Sequence, residues 1–111
     1  MNEATEPSQY LTFKLDQELY AVDIAKVREV LEFTAVTKVP RTPDFMRGVI
    51  NLRGNVVPVV DVRLKLGLGM TDKTVDTCVV ISEISVDGER TVLGALVDSV
   101  QEVIDLDVNH L

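Results

Sequence analysis

Nucleophilic catalysis needs a nucleophile, a base and a third group to orient them. This sequence has one histidine, His110, next to the last residue, and one cysteine, Cys78, set among Val79, Val80 and Ile81. Cys78 in that apolar run reads as a small core residue rather than a reactive thiol. One Cys and one His also fall short of a zinc ligand set. The stretch Gly67-Leu68-Gly69-Met70-Thr71-Asp72-Lys73-Thr74 glances at a phosphate loop, but Asp72 stands where that motif needs glycine, and its carboxylate repels phosphate. Asp16, Asp23, Asp61 and Asp98 lie beside turns or strand ends, where Asp commonly bonds local backbone, and nothing selects two of them as an acid–base pair. The residue types argue against an enzyme and leave surfaces: Arg28-Glu29 on an otherwise aliphatic strand, and Arg53 at the tip of a hairpin.

That hairpin is the centre of the chain. Val49–Leu52 and Val56–Val60 flank Arg53-Gly54-Asn55, which predicts two strands joined by a three-residue loop. Such a loop needs a left-handed residue, expected at Gly54 with Asn55 as the alternative site. The runs are nearly continuous in Val, Ile and Leu, the pattern of strands covered on both faces. Upstream, Tyr10–Leu15 and Glu18–Ile24 read as strands around an Asp16-Gln17 turn. Ile24–Leu31 fits a helical stripe or a strand; the reading favoured is a bend at Asp23–Lys26 and a strand Val27–Phe33. Val36–Val39 suggests a short strand. Thr42–Gly48 carries a Thr cap, Pro at the first position and a closing Gly, which predicts one helical turn. Asp61 should cap a helix Val62–Leu66 with Gly67 as terminator. Beyond a polar linker come Thr77–Val86, the turn Asp87-Gly88, Glu89–Val97 and a last strand near Val100–Leu106.

Apolar residues make up 46% and Trp is absent, so the core is aliphatic and rich in β-branched residues, which favours sheet. Residues 1–66 carry nine Lys/Arg and nine Asp/Glu; residues 67–111 carry two against nine and hold the whole net charge of −7. An acidic half repels nucleic acid and anionic lipid. No apolar run is long enough to insert directly into a membrane, no secretory signal is visible, and a single cysteine suits a reducing, cytoplasmic setting. Aromatics at 5% argue against a peptide-binding module with an aromatic groove. Val27–Glu32 resembles Val100–Asp105 at an offset of 73 residues, and each follows a hairpin, which indicates a duplicated lobe.

At the level of motifs, GVINLRGNVVPVVDVR (Gly48–Arg63), YAVDIAKVREV (Tyr20–Val30), VPRTPDFMRG (Val39–Gly48) and VLGALVDSVQEVIDLD (Val92–Asp107) resemble the CheW-like family of bacterial chemotaxis coupling proteins. The resemblance covers nearly everything from Tyr10 onward. It implies an all-β fold of two SH3-like β-barrel lobes related by a pseudo-twofold. With it go a flexible tail at 1–9, a first lobe at 10–66, a linker at 67–76 and a second lobe at 77–111. It also implies a non-catalytic adaptor without cofactor, joining chemoreceptor (methyl-accepting) cytoplasmic tips to the regulatory domain of the histidine kinase CheA. The alternative is a CheW-like regulatory domain cut from a larger protein, CheA or a CheW–receiver fusion.

By position, Val27, Glu29, Gly48, Asn51 and Arg53 match the receptor-facing side, with Glu29 and Arg53 expected close together. Cys78, Val79, Val80, Val100 and Val103 match the kinase side more loosely. The family pattern continues with a Pro-rich turn and a further hairpin, so the second lobe is expected to be incomplete. An unpaired edge is expected at Thr77–Val86, open to self-association.

Overall fold

A computed structural model describes residues 8–106. Eight strands and one short helix follow in order: β1 (Ser8–Leu15), β2 (Glu18–Asp23), β3 (Val27–Glu32), β4 (Met46–Leu52), β5 (Asn55–Asp61), α1 (Val62–Lys65), β6 (Cys78–Val86), β7 (Glu89–Val97) and β8 (Ser99–Leu106). Ser8 and Gln9 pair with Leu106 and Asp105, so the tail expected at 1–9 ends before them; the rest of it, like His110, lies outside the described residues.

Local chemistry explains the corners. Asp16 has φ 61°, and Asp87 and Gly88 have 52° and 82°, the left-handed geometry that tight hairpins require. A single 3-10 turn, Ile24–Lys26, forms the bend after β2, with the Asp23 carboxylate accepting the Ala25 N–H at 3.0 Å. Asp61 caps α1 by accepting the Leu64 N–H at 3.3 Å, and Gly67 at φ 80° ends it.

The strands build a three-stranded sheet, β2-β1-β8, and a five-stranded one, β3-β6-β7-β5-β4. Each sheet draws strands from both sides of residues 67–76. β3, which follows the β1–β2 hairpin, pairs with β6. β8, which follows the β6–β7 hairpin, pairs with β1. The exchange is symmetric residue by residue: Val30 faces Val80 as Val103 faces Leu11, and Val27 faces Ser82 as Val100 faces Phe13. A register shift falls at the same place in both pairs. The internal repeat is therefore a structural pseudo-twofold. β5 then adds to β7 in parallel, and β4 completes the larger sheet. The second lobe, with three strands in its sheet, has no counterpart of that hairpin among the described residues.

Two cores lie on either face of β6 and β7. Phe33, Val57, Val59, Val79, Ile81 and Leu96 form one; Leu11, Leu15, Val80 and Val97 form the other. Alternate residues of the same strands enter different cores. That double duty is why these runs are apolar at nearly every position.

Several expectations change. β6 is flanked by β3 and β7, so Thr77–Val86 is no free edge, and the edges are β2, β8, β3 and β4. Thr42–Gly48 forms no helix. Met46 N–H donates to the Pro43 carbonyl at 3.0 Å in a turn, and the chain then joins β5 as β4. A one-turn helix fixes several dihedrals for one bond, and the ladder wins. The hairpin loop has two residues, not three, because Leu52 pairs with Asn55. Val36–Val39 makes only one bridge, Thr37 to Val49. The linker is anchored, since Thr71 is buried against Asp61.

Candidate functional site

Glu29 and Arg53 meet. The Arg53 guanidinium donates to both Glu29 carboxylate oxygens, Nη1 to Oε1 at 2.6 Å and Nη2 to Oε2 at 2.8 Å. The turn aims it there: Arg53 has φ 53° and Gly54 85°, and the Asn51 side-chain oxygen accepts the Gly54 N–H at 2.9 Å. A left-handed conformation at a residue other than Gly, Asn or Asp is uncommon, and here it places the guanidinium over β3. The fork geometry gives direction as well as attraction. The hydrogen bond from Arg53 holds the Glu29 carboxyl below its usual range, and the bond to Glu29 raises Arg53.

A second cluster adjoins the first. Glu83 on β6 accepts from Arg28 Nε at 2.9 Å and lies 3.4 Å from Arg90 Nη1. The bulge in β3, where Val27 and Glu29 face successive residues of β6, leaves Arg28 as the extra residue. The Arg28 hydrogen bond lowers the Glu83 carboxyl in turn. Between the clusters runs an open groove of about 690 Å³ with Leu52, Val56, Ile81 and Val92 among its lining residues. A mixed lining, apolar at Leu52, Val56 and Val92 and charged at Arg28, Glu29, Arg53 and Arg90, suits a protein segment that buries one face and leaves the other wet. The sequence pointed to Glu29 and Arg53 but missed Glu83, Arg28 and Arg90 as a unit, because Arg28 and Glu83 are 55 residues apart. Glu83 as the lone acid of its strand was the only signal.

The other expected residues divide. Gly48 is buried, has φ 149°, and a Cβ there would run into the Thr37 carbonyl, so glycine serves the backbone. Val27 is half-buried against the second core. Val79 and Val80 are each 2% exposed and belong to the cores. Cys78 and Val100 are half-buried, and Val103 on β8 is 48% exposed. Burial raises the Cys78 thiol, with the charges of Asp76 and Glu32 adding to it, which disfavours the thiolate.

Away from the groove, Asp61 is fully buried. It accepts from Arg47 at 3.1 Å and from the Thr71 N–H and hydroxyl at 3.0 and 2.7 Å, besides its cap to Leu64. Burial pushes this carboxyl up, but the four hydrogen bonds outweigh burial and leave it lowered. Arg63 of α1 bridges Asp98, at the junction of β7 and β8, at 3.3 Å and Asp16, in the β1–β2 turn, at 3.8 Å.

Two β lobes that share strands and hold an ion-paired groove define a protein-interaction module. Comparison with known proteins agrees. The model of the CheW-like domain matches residues 9–111. The chemotaxis protein CheW of Klebsiella aerogenes is 36% identical over 107 residues, 96% of this chain and 62% of that protein. CheW of Thermotoga maritima is 31% identical, over 98% of this chain and 69% of the relative. The crystal structure of the scaffolding protein TtCheW from Thermoanaerobacter tengcongensis superposes with a TM-score of 0.82 at 40% identity, covering 93% of this chain and 68% of that one. The chain belongs to the CheW-like domain family, a family of scaffolds and adaptors, and it spans about three fifths of the first of these relatives. Among the described residues no helix is long and apolar enough to cross a membrane.

Proposed function

We propose that this chain acts as a non-catalytic chemotaxis adaptor in the cytoplasm, coupling chemoreceptor tips to the regulatory domain of the kinase CheA without a cofactor. The observation that carries the reading is the bidentate Glu29–Arg53 pair on the rim of the groove. An exposed pair of this kind contributes little to folding. Its value is a fixed pattern of charge for a partner to read. The groove receives the receptor tip, with Glu29 and Arg53 at its rim, Asn51 bracing the turn that carries Arg53, and Val27 and Gly48 holding the strands that shape it.

The kinase side is assigned to the other lobe around β8. Val103 is the residue of that set whose side chain a partner reaches directly; Cys78 and Val100 support it. Val79 and Val80 act from the core, since their side chains face inward.

The test is a paired pull-down on a receptor-tip fragment and on a CheA regulatory domain. Arg53→Glu should lose the receptor fragment at least tenfold in affinity and retain the kinase domain. Retention of both by the variant would remove the groove from the reading, and failure of the native chain to bind either would remove the adaptor role.

A further inference from the structure

Between Lys38 and Lys65 stand six Lys/Arg against two acids, Asp44 and Asp61, a basic stretch in a chain of net charge −7. Part of it builds a second groove, of about 390 Å³, which shares no lining residue with the groove at Glu29 and Arg53. Val39, Met46, Leu64 and Met70 give its apolar surface, and Lys38, Arg41 and Asp44 its exposed charges. Arg47 also lines it but is already bonded to Asp61 and to the Thr71 carbonyl, each at 3.1 Å. Lys38, Arg41 and Asp44 form no ion pair among the described residues.

The loop that presents these charges is held in shape by its own residues. Pro40 and Pro43 fix their own φ. The Thr42 hydroxyl donates to the Val39 carbonyl at 2.9 Å, and the Met46 N–H closes the next turn on the Pro43 carbonyl at 3.0 Å. Arg41 between the prolines has φ 63°, a left-handed conformation uncommon for arginine that persists only where the surroundings enforce it. A loop already ordered loses little entropy when a partner docks on it. The methionines supply the adaptable part: both are unbranched and polarizable, and Met70 is 59% exposed.

We propose that this groove docks a segment of a separate protein in which acidic and apolar side chains are interspersed, its carboxylates meeting Lys38 and Arg41 and its apolar side chains covering Met46 and Met70. Charge complementarity selects the acids, since both cations and the basic stretch around them attract carboxylates. Asp44 on the same groove repels an unbroken acidic run and admits one basic side chain on the guest. A small anion such as free phosphate would leave the apolar surface uncovered. A nucleic acid strand is repelled by the acidic remainder of the chain, and the lining holds no aromatic ring on which a base could stack.

The probes are a short synthetic peptide, Glu-Leu-Glu-Lys-Leu-Glu, and its counterpart with Gln in place of each Glu. Each is titrated into the full chain carrying isotope-labelled methionine methyls and read by NMR. The Glu peptide should shift the Met46 and Met70 signals and bind more weakly as salt is added, and the Gln peptide should bind about tenfold more weakly. Lys38→Glu and Arg41→Gly should each weaken the Glu peptide about threefold, and their combination about tenfold. Both variants should melt as the native chain does, since Lys38 is exposed and glycine accepts the left-handed φ of Arg41. Lys14→Glu, the same charge reversal on the exposed side of β1, should leave binding unchanged. The proposal is overturned if the Glu peptide moves neither methyl signal, if the two peptides bind equally, or if Lys14→Glu weakens binding as much as Lys38→Glu. Methyl shifts that grow with protein concentration alone would make a second copy the occupant and overturn a separate partner. None of these readouts involves receptor or kinase, so the outcome stands apart from the adaptor reading.

Discussion

Asp61 and Glu29 are both carboxylates held by an arginine, and they do opposite work. Asp61 is inside, bonded to Arg47, twice to Thr71 and to the cap of α1. It ties β5, β4, the helix and residues 67–76 to one point. Glu29 is at the surface, and Arg53 is its one side-chain partner. Water solvates the Glu29 pair whether or not it forms, so little is lost when it breaks; Asp61 is buried, so a lost partner leaves a buried polar group unsatisfied. The difference teaches that ion-pair geometry alone does not rank these sites. Burial assigns one to structure and leaves the other free for recognition.

The sharpest way to break that contrast is Asp61→Ala. It leaves Arg47 and Thr71 without their acceptor and should cost about 3–5 kcal/mol in urea unfolding. A cost under about 1 kcal/mol would place Asp61 in the same class as Glu29. Next in size is Gly48→Ala, which combines a disfavoured φ with a collision at the Thr37 carbonyl; about 1–3 kcal/mol is expected. An unchanged melting curve with loss of receptor binding would make Gly48 a recognition residue instead.

Acid titration separates the two carboxylates further. The Asp61 carboxyl lies below its ordinary value of 3.8 in the folded protein. Its stabilisation is therefore complete above that unfolded value and is lost as pH falls through the lower folded one. Removing Asp61 should flatten the acid limb of the stability curve, while Glu29→Gln should leave it nearly unchanged, because solvent screens the exposed pair. A steep acid limb surviving in the Asp61→Ala chain would refute the assignment. The smallest effect on stability belongs to Arg53→Glu, whose melting curve should overlay the native one even where receptor binding is lost. Combining it with Glu29→Arg restores the pair in reverse: recovered binding would mean the partner needs the geometry, and continued loss that it reads the sign of each charge.

Much of this was legible in the residues, because short-range rules write themselves locally. Turns at Asp16, Asp87-Gly88 and Gly54, the Asp61 cap, the Gly67 stop and the alternation of β3 each depend on a few neighbours. The repeat at 73 residues announced the pseudo-twofold, and a hairpin tip beside a strand of opposite charge was enough to bring Arg53 and Glu29 together. Tertiary structure decided what those pieces pair with. Nothing near Thr77–Val86 says that it is central rather than an edge, since apolarity on both faces reports burial and not the neighbour. The parallel joining of β5 to β7, the sharing of β6 and β7 between two cores, the Arg28–Glu83–Arg90 cluster and the seat of Asp61 against Thr71 all link segments distant in the chain. Closing such loops costs entropy that only the whole set of contacts repays, so the choice of partner is a property of the assembled fold.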